Sequence, residues 1–75
     1  MNWQDHITVD PQVCNGKACI HGTRVMVSVV LDNLASDESP DNITRAYQIT
    51  RDDVQAVLLY AAELAKERIV TYANQ

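Results

Sequence analysis

This sequence lacks most of what would staple a fold, carry it into a membrane or draw it onto a polyanion. No apolar run in its 75 residues is long enough to span a bilayer. The longest, from Val54 to Ala65, is short and interrupted by polar residues. Positive charge is scarce: 6 Lys and Arg stand against 10 Asp and Glu, for a net charge of −4, which argues against a general nucleic-acid binder. There are only two cysteines, Cys14 and Cys19, and the polar start MNWQDH has no apolar secretory core. A cytoplasmic chain with both thiols reduced is therefore expected. Internal repeats and low-complexity segments are absent. A chain this short reads as one domain over 1–75, and it buries only ~60–65 % of its unfolded surface. Such domains usually need a staple, a metal or a partner subunit.

The charge that is present is unevenly spread. Residues 11–31 hold Lys17 and Arg24 and no acid. Residues 1–10 carry Asp5 and Asp10, and residues 32–75 carry eight acids against Arg45, Arg51, Lys66 and Arg68. The only cationic zone thus coincides with the stretch NGKACIHGTRVMV, which contains both glycines of the chain.

The first part, 1–26, reads as short strands and turns. In His6-Ile7-Thr8-Val9-Asp10 the alternation puts Ile7 and Val9 on one face, and Pro11 ends the strand. Ala18 to His21 and Thr23 to Val27 are two more β-prone pieces, with turns at Asn15-Gly16 and His21-Gly22. Such short strands need helices or another chain to cover them. The rest, 27–72, reads as a three-helix unit. A first helix over Val27 to Ala35 turns Val27, Val30, Leu31 and Leu34 inward. Ser39-Pro40-Asp41 starts a second, with Ser as cap, Pro in the first turn and an acid facing the helix dipole. Its inward residues are Ile43, Ala46 and Tyr47. Thr50, with an acid three residues on, starts a long third helix from Arg51 to Tyr72. There Val54, Val57, Leu58, Ala61, Ala65, Ile69 and Tyr72 share one side, while Leu59 and Val70 lie opposite, near Ala56 and Ala62. A second apolar stripe suggests a docking surface of Leu59, Glu63, Lys66 and Val70.

The chemical readings of NGKACIHGTRVMV mostly fail. A Walker loop needs Lys directly after its second glycine and before Ser or Thr, whereas Gly16-Lys17 is followed by Ala18 and Gly22-Thr23 lacks the Lys. Cys14, Cys19 and His21 have the spacing C-x4-C-x-H with no second pair to complete a zinc site; Cys19 reads instead as a small buried apolar residue. Cys19 and His21 would point the same way on a strand, but no concave pocket is expected in so small a chain, so neither enzyme activity, cofactor, metal nor small-molecule substrate is expected.

A short second helix tightly joined to a third resembles a helix-turn-helix. In that arrangement Arg51 and Gln55 would read bases, and Arg45 and Thr50 would touch phosphate. Asp52 and Asp53 lie where they would repel a phosphate, and a three-helix protein-interaction domain would share the same shape.

Asp10-Pro11, Gly16-Lys17, Gly22-Thr23-Arg24, the Val-Ser helix start, Ser39-Pro40 with Ile43, Tyr47, and the helix from Asp53-Val54 to Tyr60-Ala61 together resemble domain-of-unknown-function family 433. The resemblance covers about Ile7 to Ala65. It implies a mainly α, homeodomain-like or winged-helix-like small domain, and a role as the VapB-like antitoxin of a type II toxin–antitoxin pair whose usual partner is a PIN-like ribonuclease encoded next door. The chain departs from the family pattern at Ala18 and Met26, where proline is usual, at Asp37, where glycine is usual, and at Gln48, where proline often follows the tyrosine. The Met26 and Gln48 changes loosen two rigid turns.

The expectation is therefore a mainly α three-helix, helix-turn-helix domain with short N-terminal strands, acting as a non-enzymatic antitoxin and binding its own promoter. DNA would be met by Lys17, Thr23, Arg24, Arg45, Thr50, Arg51 and Gln55, and the toxin by Leu59, Glu63, Lys66 and Val70. A homodimer through the N-terminal strands would supply missing core and cover strand edges. The rivals are a stand-alone transcription regulator and a protein-interaction module that does not bind DNA.

Overall fold

The computed structural model describes residues 1–67. Short strands β1 (Ile7–Thr8) and β2 (Cys19–Ile20) precede helices α1 (Val27–Ala35), α2 (Pro40–Tyr47) and α3 (Arg51–Glu67). A 3-10 turn over Trp3–His6 leads into β1. The domain is mainly α, with three helices among the described residues, as the sequence predicts.

β1 and β2 pair antiparallel, Ile7 opposite Ile20 and Thr8 opposite Cys19. On the other side of β2, Ile20 donates to the Val25 carbonyl and Val27 donates to the Ala18 carbonyl, at 2.9 and 3.0 Å. The third β-prone piece is thus held against β2 without becoming a strand. Its last bond also satisfies an N-terminal amide of α1, which has no side-chain cap. The expected strand His6–Asp10 is shorter than predicted and Val9 is 62 % exposed. The reason is local. Asp10 accepts from the Gln12 amide with its side chain and from the Val13 amide with its carbonyl, so the chain turns before a second alternate residue can face inward.

α1 ends without glycine. Asp37 takes a φ of +67°, and the Asp37 and Glu38 amides fold back onto the Leu34 and Asn33 carbonyls. This is the Schellman arrangement, with aspartate in the left-handed position that glycine usually fills. α2 starts as predicted, the Ser39 hydroxyl accepting from the Asn42 amide with Pro40 in the first turn. It ends on Gln48 at φ +57°. The turn 48–50 then leads to α3, where the Thr50 hydroxyl accepts from the Asp53 amide and the Asp53 carboxylate accepts from the Thr50 amide. This is the reciprocal cap the sequence announced. Asn33 of α1 donates to the Tyr47 hydroxyl of α2 and fixes their crossing.

The core is Ile20, Val27, Val30, Ile43, Ile49, Val54 and Val57, bordered by Ile7, Leu31, Leu34, Tyr47 and Tyr60. It contains no aromatic ring of its own, and each fully buried aliphatic contributes about 1.5–3 kcal/mol. Ala46 faces solvent, because α2 lies at the edge and turns only the Ile43–Tyr47 line inward.

The orientation of α3 differs more. Leu58 is 42 % exposed and Ala65 is exposed, while Ala56 is wholly buried and Leu59 half-buried. The predicted inward and outward faces are thus rotated. The cause is the N-terminal arm. Trp3 packs on Tyr60 with ring centroids 5.5 Å apart, and His6 bonds Asp53. The arm covers the Asp53–Ala56–Tyr60 flank, which the helical period alone leaves open. Ile69, Val70 and Tyr72, and the predicted extension of α3 to Tyr72, lie outside the described residues.

Asp37→Gly relieves the left-handed cost at the α1 cap and is expected to raise the unfolding free energy by about 0.5–1 kcal/mol. Asp37→Val should lower it. Urea denaturation checks both, and an unchanged or lowered midpoint for the glycine variant would contradict the cap assignment.

Candidate nucleic-acid and partner surfaces

The stretch that carries the family marks folds into two turns. In the first, Cys14, Asn15 and Gly16 all have positive φ, at 52°, 56° and 82°. In the second, Gly22 sits at φ +79° with open space where a Cβ would stand, so backbone conformation alone calls for glycine. Thr23 closes this turn. Its amide and its hydroxyl both donate to the Ile20 carbonyl, and the same hydroxyl accepts from the Val25 amide. The single hydroxyl proton of Thr23 is therefore used inside the turn.

These turns form a cleft of about 600 Å³ lined by Thr8, Asp10, Val13, His21, Gly22, Thr23 and Arg24. This corrects the expectation that so small a chain would have no concavity of ligand size. The His21 ring is fixed by a 2.9 Å hydrogen bond between Nδ1 and the Thr8 hydroxyl. Arg24 is exposed and has no ion-pair partner among the described residues. No group of three or more His, Cys, Asp or Glu among the described residues could hold a metal ion.

The other candidate cations lie elsewhere. Lys17 stands at the lip of a second groove, of about 440 Å³, with Ala18, Val27, Ser28, Leu31, Tyr60 and Leu64. Leu64 is 13 residues beyond Arg51 on α3, a helical rise of about 20 Å. Lys17 thus sits toward the far end of α3 from the helix-turn-helix corner, where Arg45, Thr50, Arg51 and Gln55 are all exposed. Arg45 donates to Asn42 and Arg51 pairs with Asp41. Both ties are solvent-exposed and weak. The structure therefore groups Arg45, Thr50, Arg51 and Gln55, and separates Lys17 from them.

The predicted docking set is also redistributed. Glu63 and Lys66 pair with each other at 3.4 Å on the exposed side of α3. Leu59 is half-buried beside the arm-covered flank and is not the exposed anchor. The exposed large apolar side chains of α3 among the described residues are Leu58 and Leu64, at 42 and 46 %. At about 100° per residue they point about 120° apart, with Ala61 and Ala65 between them. Together they form an apolar band on the C-terminal half of α3, and its Leu64 edge runs into the second groove. Val70 falls outside the described residues.

The residue that sequence reasoning undervalued is Asp53. Expected as a cap and as a carboxylate that would repel a phosphate, it also binds His6 Nδ1 at 2.9 Å through its other oxygen. Partial burial pushes its carboxyl up. The Thr50 amide, the His6 ring and the Thr50 hydroxyl together outweigh this and hold it below its ordinary value of 3.8.

The three helices and the two-strand sheet thus carry an exposed turn with Arg24 and, on α3, an apolar band at Leu58 and Leu64. A family model described as a protein of unknown function, DUF433, matches residues 7–61. The chain belongs to that family. Comparison with curated proteins gives no match, nor does comparison with solved structures. No helix among the described residues is long and apolar enough to cross a membrane.

The lowered Asp53 carboxyl fixes the sign of a pH effect. Its stabilisation is complete above 3.8 and is lost as pH falls through the lower folded value. The acid limb of stability should therefore flatten in Asp53→Asn, with the variant already weaker at neutral pH. Urea midpoints from neutral pH to about pH 2.5 test this; parallel acid limbs for the two proteins would contradict it.

Proposed function

We propose that this chain acts by binding another protein, as the antitoxin of a type II pair whose partner is a PIN-like ribonuclease, and that it does no covalent chemistry of its own. The observation that carries the reading is the apolar band of Leu58, Ala61, Leu64 and Ala65 on α3, running into the groove beside Lys17. A domain with so small an aliphatic core gains little by leaving leucines in water unless a partner covers them. The net charge of −4 suits a partner whose RNA channel is basic. Docking of the band would bring that acidic surface over the channel and deny it to RNA.

A second reading, autoregulation by DNA binding, is favoured by the exposed Arg45, Thr50, Arg51 and Gln55 around the turn from α2 to α3 and by Arg24, which has no ion-pair partner among the described residues. Two copies joined through their N-terminal strands would double these contacts. The apolar band and the arginines lie on different parts of the surface, so one domain can engage both ligands.

Co-expression with the nuclease encoded in the adjacent reading frame tests the first reading. The two proteins should co-purify, and Leu58→Glu with Leu64→Glu should weaken the complex at least ~30-fold. Absence of a complex, or a variant that binds as well, would overturn it. For the second reading, promoter binding should fall steeply with salt and be abolished by Arg24→Glu or Arg51→Glu. Unchanged gel retardation in either variant would remove that arginine from the interface.

A further inference from the structure

The cleft between Thr8, Asp10 and the His21–Arg24 turn offers more hydrogen-bonding groups than the fold uses. Its walls are fixed. The His21 amide donates to the His6 carbonyl at 2.8 Å, and the His21 ring is tied through Nδ1 to the Thr8 hydroxyl. Nε2 is the ring nitrogen left for a ligand. The bond from the Thr23 amide to the Ile20 carbonyl, with Gly22 at φ +79°, makes a type II turn. Among the described residues, the Gly22 and Arg24 amides on either side of Thr23 donate to no acceptor, and the Arg24 guanidinium has no ion-pair partner. Asp10 comes from a separate turn. One of its carboxylate oxygens accepts the Gln12 amide at 2.8 Å, and its carbonyl accepts the Val13 amide, which leaves the second carboxylate oxygen unused.

We propose that this cleft binds a phosphate monoester with neighbouring hydroxyls, the chemistry shared by a pentose phosphate and the ribose phosphate of a nucleotide. The inference stands apart from both macromolecular readings, since its ligand is a small molecule. The donors decide the charged end. The Arg24 guanidinium, the free amides of Gly22 and Arg24, and His21 together outnumber the single carboxylate. A phosphate monoester presents three acceptor oxygens to them, whereas a carboxylate presents two. The phosphate selects the His21 tautomer in which the Thr8 hydroxyl donates to Nδ1 and Nε2 carries the ring proton.

Asp10 decides the other end. Its second oxygen can accept a sugar hydroxyl, the role an acidic residue plays toward ribose in dinucleotide sites. A bare phosphate gains nothing from this carboxylate, and a duplex backbone would bring further negative charge against it. Among the described residues no Phe, Tyr or Trp lines the cleft, so a stacked base is not part of the recognition. The volume of about 600 Å³ falls in the range of small-molecule sites.

The test titrates the isotope-labelled full chain with ribose 5-phosphate, inorganic phosphate and ribose, following amide resonances. Ribose 5-phosphate should shift Gly22, Thr23 and Arg24 and bind at least ~10-fold tighter than inorganic phosphate, with no shifts from ribose. Arg24→Gln should weaken it at least ~10-fold. Asp10→Asn keeps an oxygen for the Gln12 amide but removes the carboxylate. Inorganic phosphate should then bind as well or better, while the preference for ribose 5-phosphate is lost. Adenosine 5′-monophosphate separates the two sources: tighter binding than ribose 5-phosphate supports a nucleotide, and equal or weaker binding supports the free sugar phosphate. The proposal is overturned if ribose 5-phosphate does not bind the wild-type chain, or if inorganic phosphate binds it as tightly. It is equally overturned if the shifts fall at Arg45 and Arg51 instead, or if promoter duplex alone shifts the cleft amides. These outcomes are read on the wild-type protein, so a variant that misfolds does not decide the matter.

Discussion

The carboxylate of Asp53 is the joint on which the arrangement turns. One oxygen accepts the Thr50 amide and closes the cap that starts α3; the other accepts from His6, 47 residues away in the chain. The first bond ends the turn after α2 and sets where α3 begins. The second anchors the N-terminal arm along α3, where Trp3 reaches Tyr60. A cap is worth about 1 kcal/mol. This one also decides which flank of the longest helix is covered, and that follows from a single side chain being shared by a local and a distant partner.

The candidate surfaces follow from that choice. With the arm on the Asp53–Ala56–Tyr60 side, the apolar band on α3 falls at Leu58 and Leu64. The arm continues into β1, which pairs with β2 and so places the turns carrying Cys14 and Arg24. A cleft with His21 and Arg24 results at one place and a groove with Lys17 at another. The cations that look contiguous in sequence end up on separate surfaces.

Much of the helical part was legible because its signals are local. Ser39-Pro40 and Thr50 with Asp53 announce helix starts by hydrogen bonds spanning three residues, and the spacing of Val27, Val30, Leu31 and Leu34 gives α1 its inward face. Asp37 and Gln48 serve at helix ends, and both adopt the positive φ that favours glycine. What was not legible depends on long-range contacts. Nothing near His6 indicates Asp53, so the arm was invisible, and Leu58 and Leu59 exchanged places with respect to solvent. The cleft was missed for the same reason, since it joins Thr8 and Asp10 to the His21–Arg24 turn through strand pairing. Thr23, expected at the DNA, has its hydroxyl engaged inside the turn by Ile20 and Val25, a bond pattern that the sequence alone does not announce.

Binding through the α3 band is the claim on which the functional reading stands. The most direct measurement is a hydrogen-exchange footprint of the chain alone and with the product of the adjacent reading frame, the proposed nuclease partner. Slower exchange along the Leu58–Lys66 half of α3 and at Lys17 and Ala18, with the His21–Arg24 turn unaltered, is the predicted result. Slowing confined to the His21–Arg24 turn, or no slowing anywhere, would contradict it.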